Sequence, residues 1–518
     1  MMRFRVTEDL HWLRLEDYDN EIDLKQVDIS LTREVKNSYI YKNSKNKKMA
    51  RYAGWDGKVN FFYKRRFVPS GLWNELLKID KEWNLGITIE GLDRLVSEVP
   101  TLEDFRTWCD EFFKDSEKKP FDHQIVSAHR IITYRRSVQE LATNAGKTLI
   151  VFMVVAFLKK HGLLKKFLMI VPNTNLVGQA IEDFQEYGAY KLGLKFQLIS
   201  GDSGEGKVPI RSETDVVIGT FQSLVKREDP AFAEFNTVCV DEAHQTHAVS
   251  IKKILSRCVN CTYRFGLTGT LVGEGSADHF TIQSQLGPVV MKVSPDYLFG
   301  EGISTPLDIR VVRMNYLPEE AKEKLHKLHQ AKNEMDGSQI LTIEKKLARG
   351  SKARLNFVVD TILKTTKNSL VLFQGVEDNY GGQIFDLIRE KDPTKEVFYV
   401  DGSTSDANRS EYKARMKSGE NRILIATFLT FATGISIPNL YNIFLVESYK
   451  SEVLIKQSLG RMMRLHSGKE VAVVFDFVDD FSWKSKPNYL MKHSYERVEI
   501  YDREKFNYKI YNITLSSG

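Results

Sequence analysis

Cysteines and long apolar runs are both scarce in this chain of 518 residues. Four cysteines exclude a disulfide-dense secreted scaffold and suit a reducing compartment, so we expect a cytoplasmic location. The longest apolar run, residues 149–158, has ten residues, about half of the roughly 20 that cross a bilayer. The first twenty residues mix both charge signs and lack the apolar core of a signal peptide. We therefore expect a globular protein with no membrane partner.

Charge is small in total, at +6, but it is unevenly placed. Residues 1–32 carry four basic and eight acidic side chains, whereas residues 33–66 carry eleven basic and two acidic ones. The basic segment also contains seven aromatic residues: Tyr39, Tyr41, Tyr52, Trp55, Phe61, Phe62 and Tyr63. Cations interleaved with aromatics suit phosphate neutralisation and base stacking. The same pattern fits a solvated hairpin whose aromatics face a small core, so both interpretations stay open.

Apolar patterning predicts two α/β domains in tandem. After residue 85 the pattern turns helical, in residues 91–99 and 102–116, and a junction follows before Phe121. Short runs rich in Val, Ile and Phe then alternate with amphipathic segments, once before residue 300 and once after residue 365. This alternation is typical of parallel βαβ units. The predicted runs are FLMIVP, DVVIGT, TVCVDE, YRFGLTG, SLVLFQ, EVFYVDG, RILIAT, YNIFLVE and EVAVVFDFV.

Residues 142–148, ATNAGKT, resemble a phosphate-binding loop that opens onto an apolar helix. Small residues let backbone N–H groups wrap a phosphate at a helix N-terminus. Lys147 would add a positive charge, and the Thr148 hydroxyl would ligate Mg²⁺. The full pattern has glycine where this chain has Leu141. The predicted nucleotide contacts are Thr143, Asn144, Ala145, Gly146, Lys147 and Thr148.

Two acids, Asp241 and Glu242, end a later apolar run and are followed by Ala243 and His244. A strand that ends in acids places them at the carboxyl edge of a parallel sheet, beside the loop after the first strand. Asp241 is the candidate Mg²⁺ ligand, and Glu242 is the candidate base for the attacking water.

These motifs, together with Thr268-Gly269-Thr270 and the QxxGRxxR pattern of residues 457–464, resemble the superfamily 2 helicases and translocases. The resemblance implies two RecA-like parallel-sheet lobes, with ATP and Mg²⁺ as cofactors. It implies that Phe121 and Gln124 read the adenine. Three of the family's nucleic-acid-contacting motifs have counterparts here. The first contains Pro172 and Thr174 with Gln179, the second Thr220 and Gln222, and the third, motif V, begins at Thr427. Gly434 lies in motif V, which continues Gly-Ile-Ser where the family commonly has Gly-x-Asp.

The arginines of the QxxGRxxR pattern have a catalytic interpretation. Phosphoryl transfer needs positive charge on the developing γ-phosphate, and arginines from a second domain make hydrolysis conditional on closure. Arg461 and Arg464, three residues apart on a helix, would present to one face. We predict Gln457, Arg461 and Arg464 as catalytic residues beside Lys147, Asp241 and Glu242.

Residues 51–58, RYAGWDGK, the region around Arg409 and the C-terminal residues 504–508 are similar to the recombination and repair helicases of T-even phages. This resemblance implies unwinding of forks, Holliday-like junctions and R-loops, in recombination, repair and replication, with 3′→5′ polarity. The implied partner is branched DNA or an RNA–DNA hybrid, bound by a monomer. Predicted contacts outside the helicase motifs are Arg51, Lys58, Lys64, Arg65, Arg66 and Arg409.

We expect four segments: a small α+β nucleic-acid-binding module (1–100), an ATP-binding lobe (101–305), a second lobe (306–480) and a C-terminal extension packed on it (481–518). Two alternatives stay open: an RNA-directed helicase, and a binding or annealing factor switched by nucleotide. Cys258 and Cys261 have the spacing of half a zinc site, but the chain has no second CxxC, so we predict no zinc.

Overall fold

The computed structural model describes residues 1–35, 56–201, 209–227, 230–247, 249–271, 273–330, 337–374, 379–432 and 437–515. The chain divides into two compact units, Met1–Val293 and Ser294–Gly518. The four-segment division expected from the sequence stays a prediction. Strands and helices are numbered below in chain order.

The first unit begins with a small α+β layer. Its four-stranded sheet has the order β5-β2-β1-β6, and β3 pairs with β4 separately. Alternate residues of β1, Met2, Phe4 and Val6, are buried against helices. The elements are β1 (Met2–Val6), β2 (Trp12–Tyr18), α1 (Glu21–Ser30), β3 (Thr32–Glu34), β4 (Lys58–Asn60), β5 (Phe67–Pro69), α2 (Trp73–Trp83) and β6 (Ile87–Glu90).

The helical pattern predicted from residue 85 begins too early. Residues Ile87–Glu90 form β6, which pairs in parallel with β1, and only the short 3-10 turn Leu92–Arg94 follows before residue 100. Ile87 and Ile89 recur at a spacing of two, the period of a strand, and β1 supplies the partner that a local pattern cannot show.

A seven-stranded parallel sheet forms the rest of the first unit, in the order β13-β7-β12-β11-β8-β10-β9. Helix α5 is buried along ten consecutive residues, which explains its apolar sequence. The elements are α3 (Leu102–Phe112), α4 (Asp122–Tyr134), β7 (Arg136–Leu141), α5 (Lys147–Lys160), β8 (Phe167–Val171), α6 (Thr174–Glu186), β9 (Phe196–Ile199), β10 (Val216–Thr220), α7 (Phe221–Leu224), β11 (Thr237–Asp241), α8 (Val249–Arg257), β12 (Tyr263–Thr268), α9 (Ala277–Leu286) and β13 (Val289–Val293).

The second unit is built on another seven-stranded parallel sheet, in the order β16-β17-β15-β18-β19-β14-β20. The C-terminal strand β20 pairs along its whole length with β14, so the end of the chain completes this sheet. The elements are α10 (Pro295–Gly300), β14 (Leu307–Asn315), α11 (Glu319–Gln330), α12 (Gly337–Gly350), α13 (Lys352–Leu363), β15 (Ser369–Phe373), α14 (Tyr380–Lys391), β16 (Val397–Val400), α15 (Asp406–Ser418), β17 (Ile423–Thr427), α16 (Phe428–Ala432), β18 (Asn442–Leu445), α17 (Glu452–Met462), β19 (Ala472–Asp479), α18 (Tyr489–Arg503) and β20 (Asn507–Thr514).

The predicted fold class, two parallel-sheet lobes with a small α+β segment before them, is confirmed. All nine apolar runs singled out in the sequence are strands. The pattern missed β7, β9, β13, β14 and β20, whose polar residues break their apolar runs. Across the residues with described positions, the helices are too short or too polar to span a membrane.

Candidate functional site

The strand order of the first unit brings three sequence motifs to one sheet edge. Strand β12 lies between β7 and β11, with all three parallel. The loop of residues 142–146 follows β7, Asp241 ends β11 and Thr268 ends β12. Their carboxyl ends meet because the strands are parallel, and in open α/β sheets this edge is where ligands bind.

The loop of residues 142–146 feeds directly into helix α5. Gly146 is its N-cap, with φ +80°, a conformation that favours glycine. A Cβ at Gly146 would lie 2.1 Å from Gln124 Nε2. The N–H groups at the start of a 14-residue helix favour an anion. The loop is therefore shaped so that its backbone is presented to a phosphate.

A chain of polar contacts joins the phosphate loop to the acids and to the end of β12. Lys147 Nζ lies 3.4 Å from Glu242 Oε1, and His244 Nδ1 lies 3.3 Å from Glu242 Oε2. His244 Nδ1 is also 3.0 Å from Thr268 Oγ1. Because the Thr268 hydroxyl donates to the carbonyl of Thr270, Nδ1 of His244 must be the donor. The network links the base candidate Glu242 to the Thr268-Gly269-Thr270 turn.

The turn after β12 also packs against the loop itself. A Cβ at Gly269 would lie 3.8 Å from Thr143 Oγ1 and 3.9 Å from Lys147 Nζ. These are ordinary contact distances, so the turn lies directly against the phosphate loop.

The two acids differ in their ionisation. Burial raises the pKa of Asp241. The positive charge of Lys147 lowers it and the negative charge of Glu242 raises it, and the net pKa lies above the ordinary value. Burial also opposes the ionisation of Glu242, but the charge of Lys147 and the hydrogen bond from His244 outweigh it and lower its pKa. Glu242 has φ +53°, a conformation that concentrates at functional sites in residues other than glycine. Glu242 is thus held ionised and can accept a proton.

The residues at this edge fit ATP with Mg²⁺. Gly146 packs the loop against Gln124, and Lys147 begins the helix that follows. Thr148 and Asp241 supply one hydroxyl and one carboxylate, a donor set that leaves further Mg²⁺ positions to phosphate oxygens and water. When bound, the metal ion neutralises charge on the transferring phosphoryl group.

Gln124 and its neighbour His123 reach the phosphate loop from helix α4. Both are buried, and Gln124 Nε2 and His123 Nε2 lie 3.0 Å from the carbonyl of Ala145. Gln124 Oε1 accepts from the backbone N–H of Phe121. Phe121 is 47% exposed and stacks on His123. Adenine recognition by Phe121 and Gln124 stays a prediction, and the sequence offered no signal for His123.

The predicted nucleic-acid motifs of the first unit also share this sheet edge. Val171 and Thr220 are register partners at the ends of β8 and β10. Gln222 Nε2 donates to the carbonyl of Pro172, 3.4 Å away, and Thr174 begins helix α6. The Thr220 hydroxyl accepts from Ser223 N–H and caps α7. The structure thus joins the two motifs as neighbouring turns.

In the second unit, Thr427 ends β17 and Arg409 lies on α15. The Thr427 hydroxyl donates to Thr430 Oγ1 at 2.8 Å. The Arg409 guanidinium donates to the carbonyls of Asp401 and Gly402 and so holds that turn. Nucleic-acid contact by Thr427 and Arg409 stays a prediction, and Gly434 lies outside the described residues.

Gln457 and Arg461 lie on α17, and Arg464 follows its last turn. The backbone here is held by Lys469, whose ammonium donates to the carbonyls of Met462, Arg464 and Pro438. Burial, together with the charge of Arg464, lowers the pKa of Lys469 to about 7. A lysine in a polar turn gives no sign of this role in the sequence. The catalytic role of the three motif residues stays a prediction.

Arg51, a predicted contact of the N-terminal segment, and Trp55 lie outside the described residues. Lys64, Arg65 and Arg66 are exposed at the tip of a tight hairpin, where Tyr63 N–H donates to the carbonyl of Phe67. Lys58 is exposed on β4. Phe61 and Phe62 are only 2% exposed, so these two aromatics belong to the core and not to a stacking surface.

Two family descriptions match the chain. "Type III restriction enzyme, res subunit" matches residues 117–272, and "Helicase conserved C-terminal domain" matches residues 353–466. The ATP-dependent DNA helicase UvsW of Enterobacteria phage T4 is 29% identical over 483 residues, which cover 90% of this chain and 92% of that protein.

Two more distant likenesses extend these matches. The DNA 3′-5′ translocase XPB2 of Sulfurisphaera tokodaii is 22% identical over 66% of this chain and 78% of that protein. The structure of the ATP-dependent Type ISP restriction-modification enzyme LlaBIII bound to DNA has a TM-score of 0.55 at 16% identity, over 77% of this chain and 32% of that one. With the motifs gathered at one sheet edge, these matches make the chain a superfamily 2, ATP-dependent helicase of the UvsW type.

Proposed function

We propose that this helicase unwinds and remodels branched DNA, including forks, Holliday-like junctions and R-loops, with 3′→5′ polarity, in recombination, repair and replication. The proposal extends the ATP-dependent helicase activity to a substrate class. It is supported by the names of two relatives, a phage DNA helicase and a DNA 3′-5′ translocase.

The observation that carries the proposal is the contact chain Lys147–Glu242–His244–Thr268. It connects a phosphate loop and an ionised base to the Thr268-Gly269-Thr270 turn. The nucleic-acid motifs at the ends of β8 and β10 lie on the same edge of the same sheet. Hydrolysis and strand contact therefore have a short mechanical route between them.

The proposal assigns a role to each residue of the predicted nucleotide site. The backbone of Thr143–Gly146 and the Lys147 ammonium hold the phosphates, Thr148 and Asp241 hold Mg²⁺, and Glu242 accepts a proton from the attacking water. Phe121 and Gln124 contact the base of the nucleotide. Gly434 belongs to the same predicted nucleotide site. Gln457, Arg461 and Arg464 complete the predicted catalytic set, in which the arginines add positive charge to the γ-phosphate.

Nucleic-acid binding is proposed at three places: the first-unit turns with Pro172, Thr174, Thr220 and Gln222, the second-unit residues Arg409 and Thr427, and the N-terminal segment with Arg51, Lys58 and Lys64–Arg66. Backbone phosphates are the expected ligands, because these are cations, hydroxyls and helix starts. Such contacts set position on a strand without reading its sequence.

The ATP hydrolysis rate is the first test. We expect forked DNA to raise the rate well above its basal value, and an unpaired 3′ tail to support unwinding better than a 5′ tail. Hydrolysis and unwinding are measured on labelled forks, junctions, R-loops and RNA duplexes. Absence of stimulation by any DNA would reject the proposal, and preferential unwinding of RNA duplexes would favour the RNA-directed alternative.

The hairpin tip allows a second test. Replacing Lys64, Arg65 and Arg66 with Gln should weaken junction binding and reduce the slope of log affinity against log salt by about two to three, because each phosphate contact releases a counterion. The measurement is fluorescence anisotropy of a labelled junction over a salt series.

A matched control replaces three cations near helix C-termini of the second unit, Lys364, Arg389 and Lys391, with Gln. Helix C-termini of α/β units lie at the amino edge of their sheet, whereas Thr427 ends β17 at the carboxyl edge. An unchanged salt slope in the hairpin variant would show that Lys64, Arg65 and Arg66 do not contact phosphates, and would leave Arg65 with its ion pair to Asp28 only.

A further inference from the structure

The four-stranded sheet of the first unit has an outer face whose residues come from different strands, of which β5 is far from β1 and β2 in the chain, so a local sequence pattern does not show them together. Its inner face carries the apolar residues Met2, Phe4, Leu13, Leu15 and Val68. Among the residues between them, which point the other way, are Arg5 on β1, Trp12 and Arg14 on β2, and Phe67 on β5. This set, with Tyr63 and Arg66 of the adjoining hairpin, is called the outer face below.

Register places two arginines directly opposite each other. Arg5 pairs with Arg14 across β1 and β2, and Arg14 pairs with Phe67 across β2 and β5. Like charges at opposite positions of an antiparallel pair are unfavourable for the sheet. Glu16 and Glu90 offset this locally, through an Arg14–Glu16 contact of 2.7 Å and an Arg5–Glu90 contact of 2.8 Å.

These ion pairs are solvent-exposed. The Arg5 and Arg14 side chains are 49% and 41% exposed. The hydrogen bond from Arg14 lowers the pKa of Glu16, and the charges of Arg14, Arg5 and Arg66 act in the same direction. Exposed ion pairs are weak, and a phosphate can replace a carboxylate as the partner of an arginine at little cost.

The aromatic side chains form a cluster beside the arginines. The Trp12 ring lies 5.4 Å from Tyr63 and 6.2 Å from Phe67, and both pairs are edge-on. The Arg66 guanidinium lies over the Phe67 ring at 5.9 Å. Tyr63 is 43% exposed. Rings held edge to face by neighbours keep their orientation, which reduces the entropy cost of stacking a further ring on them.

We propose that the outer face binds an unpaired nucleic-acid strand, with bases stacked on the Trp12, Tyr63 and Phe67 cluster and phosphates held by Arg5, Arg14 and Arg66. Stacking on aromatics next to cations is the chemistry of sequence-independent single-strand binding. The inference rests on the proposed function only in taking nucleic acid as the substrate. At a branch, this face would hold the strand that is not paired.

The test compares single-stranded and duplex binding by the full-length protein. The probes are a labelled oligothymidylate and a blunt duplex of the same length, at constant salt and without nucleotide. We expect Tyr63→Ala combined with Arg14→Gln to lower single-strand affinity by about tenfold or more, with a change of less than about twofold for the duplex.

Tyr18→Ala is the matched control, because Tyr18 is 39% exposed on the same strand, beyond the bulge that ends the outer face. It should bind both probes like the wild type. The second measurement is photocrosslinking of wild-type protein to oligo-iododeoxyuridine, and we expect crosslinks in residues 12 and 63–67. Because it uses the wild type, this measurement does not depend on how well a variant folds.

The inference would be overturned by unchanged single-strand affinity in the double variant, by equal losses for strand and duplex, or by crosslinks that lie only elsewhere. A face that proves to bind a protein and no strand would also overturn it. Failure of the proposed function is separate, since it is read from the wild type alone, as absence of stimulation of ATP hydrolysis by DNA.

Discussion

Replacing Glu242 with Gln should lower the rate of ATP hydrolysis by about 100-fold or more, the usual contribution of a positioned general base. Lys147 and His244 hold the carboxylate ionised, so it is ready to accept a proton. Glutamine keeps the size, but its single carbonyl oxygen can accept from only one of the two donors, and its amide takes up no proton. The measurement is steady-state ATP hydrolysis with and without forked DNA.

The same variant should keep its affinity for nucleotide and DNA while losing strand separation. Binding is measured with a fluorescent ATP analogue and a labelled fork. Glu111→Gln, an exposed glutamate on α3, is the control and should leave all three activities unchanged. Strand separation that persists in Glu242→Gln would show that another group is the base.

Replacing Arg354 with Met should destabilise the second unit by about 3–5 kcal/mol, because it leaves the buried Asp479 carboxylate without its counter-charge. Arg354 is 1% exposed and binds Asp479 through two contacts, of 2.5 and 3.1 Å. It also donates to the carbonyl of Val446 and to the Tyr380 hydroxyl. The pair therefore ties α13 and α14 to the carboxyl ends of β18 and β19.

Hydrogen exchange of amides in β14 and β19 measures this local free energy without assuming that the whole chain unfolds at once. Lys391→Met is the control, since it breaks an exposed pair with Asp360 at 2.7 Å and should cost less than about 1 kcal/mol. Replacing both Arg354 and Asp479 with apolar residues should restore part of the loss. A single Arg354 variant as stable as the wild type would mean that the ion pair is dispensable.

The motifs of the candidate nucleotide site could be recognised from the sequence because they are local. Residues 142–148 form one loop and the start of one helix, and Asp241 and Glu242 are adjacent in the chain. A short run of residue types suffices to identify such a site. The contacts that organise it are not local: His244 meets Thr268 only because β12 lies between β7 and β11.

What the sequence interpretation got wrong or left open has the same origin. The segment from residue 85 was expected to be helical, but Ile87–Glu90 joins β1 as a strand. For Phe61 and Phe62 the sequence left stacking and a small core both open, and both side chains are buried in the core of the small sheet. Lys469 carried no prediction, and it is buried and holds the backbone around Arg464.

By itself the sequence determined the class of protein, the α/β architecture and the position of the ATP-site motifs, because run lengths, helix starts and motif spacing are properties of neighbouring residues. Only the tertiary structure decided which side chains share a surface. Residues 1–32 are acidic in total, yet strand alternation and the pairing of β1, β2 and β5 collect Arg5, Arg14 and Phe67 in one row. The physical reason is that strand pairing and register join residues far apart in the chain, and a local pattern carries no record of the partner.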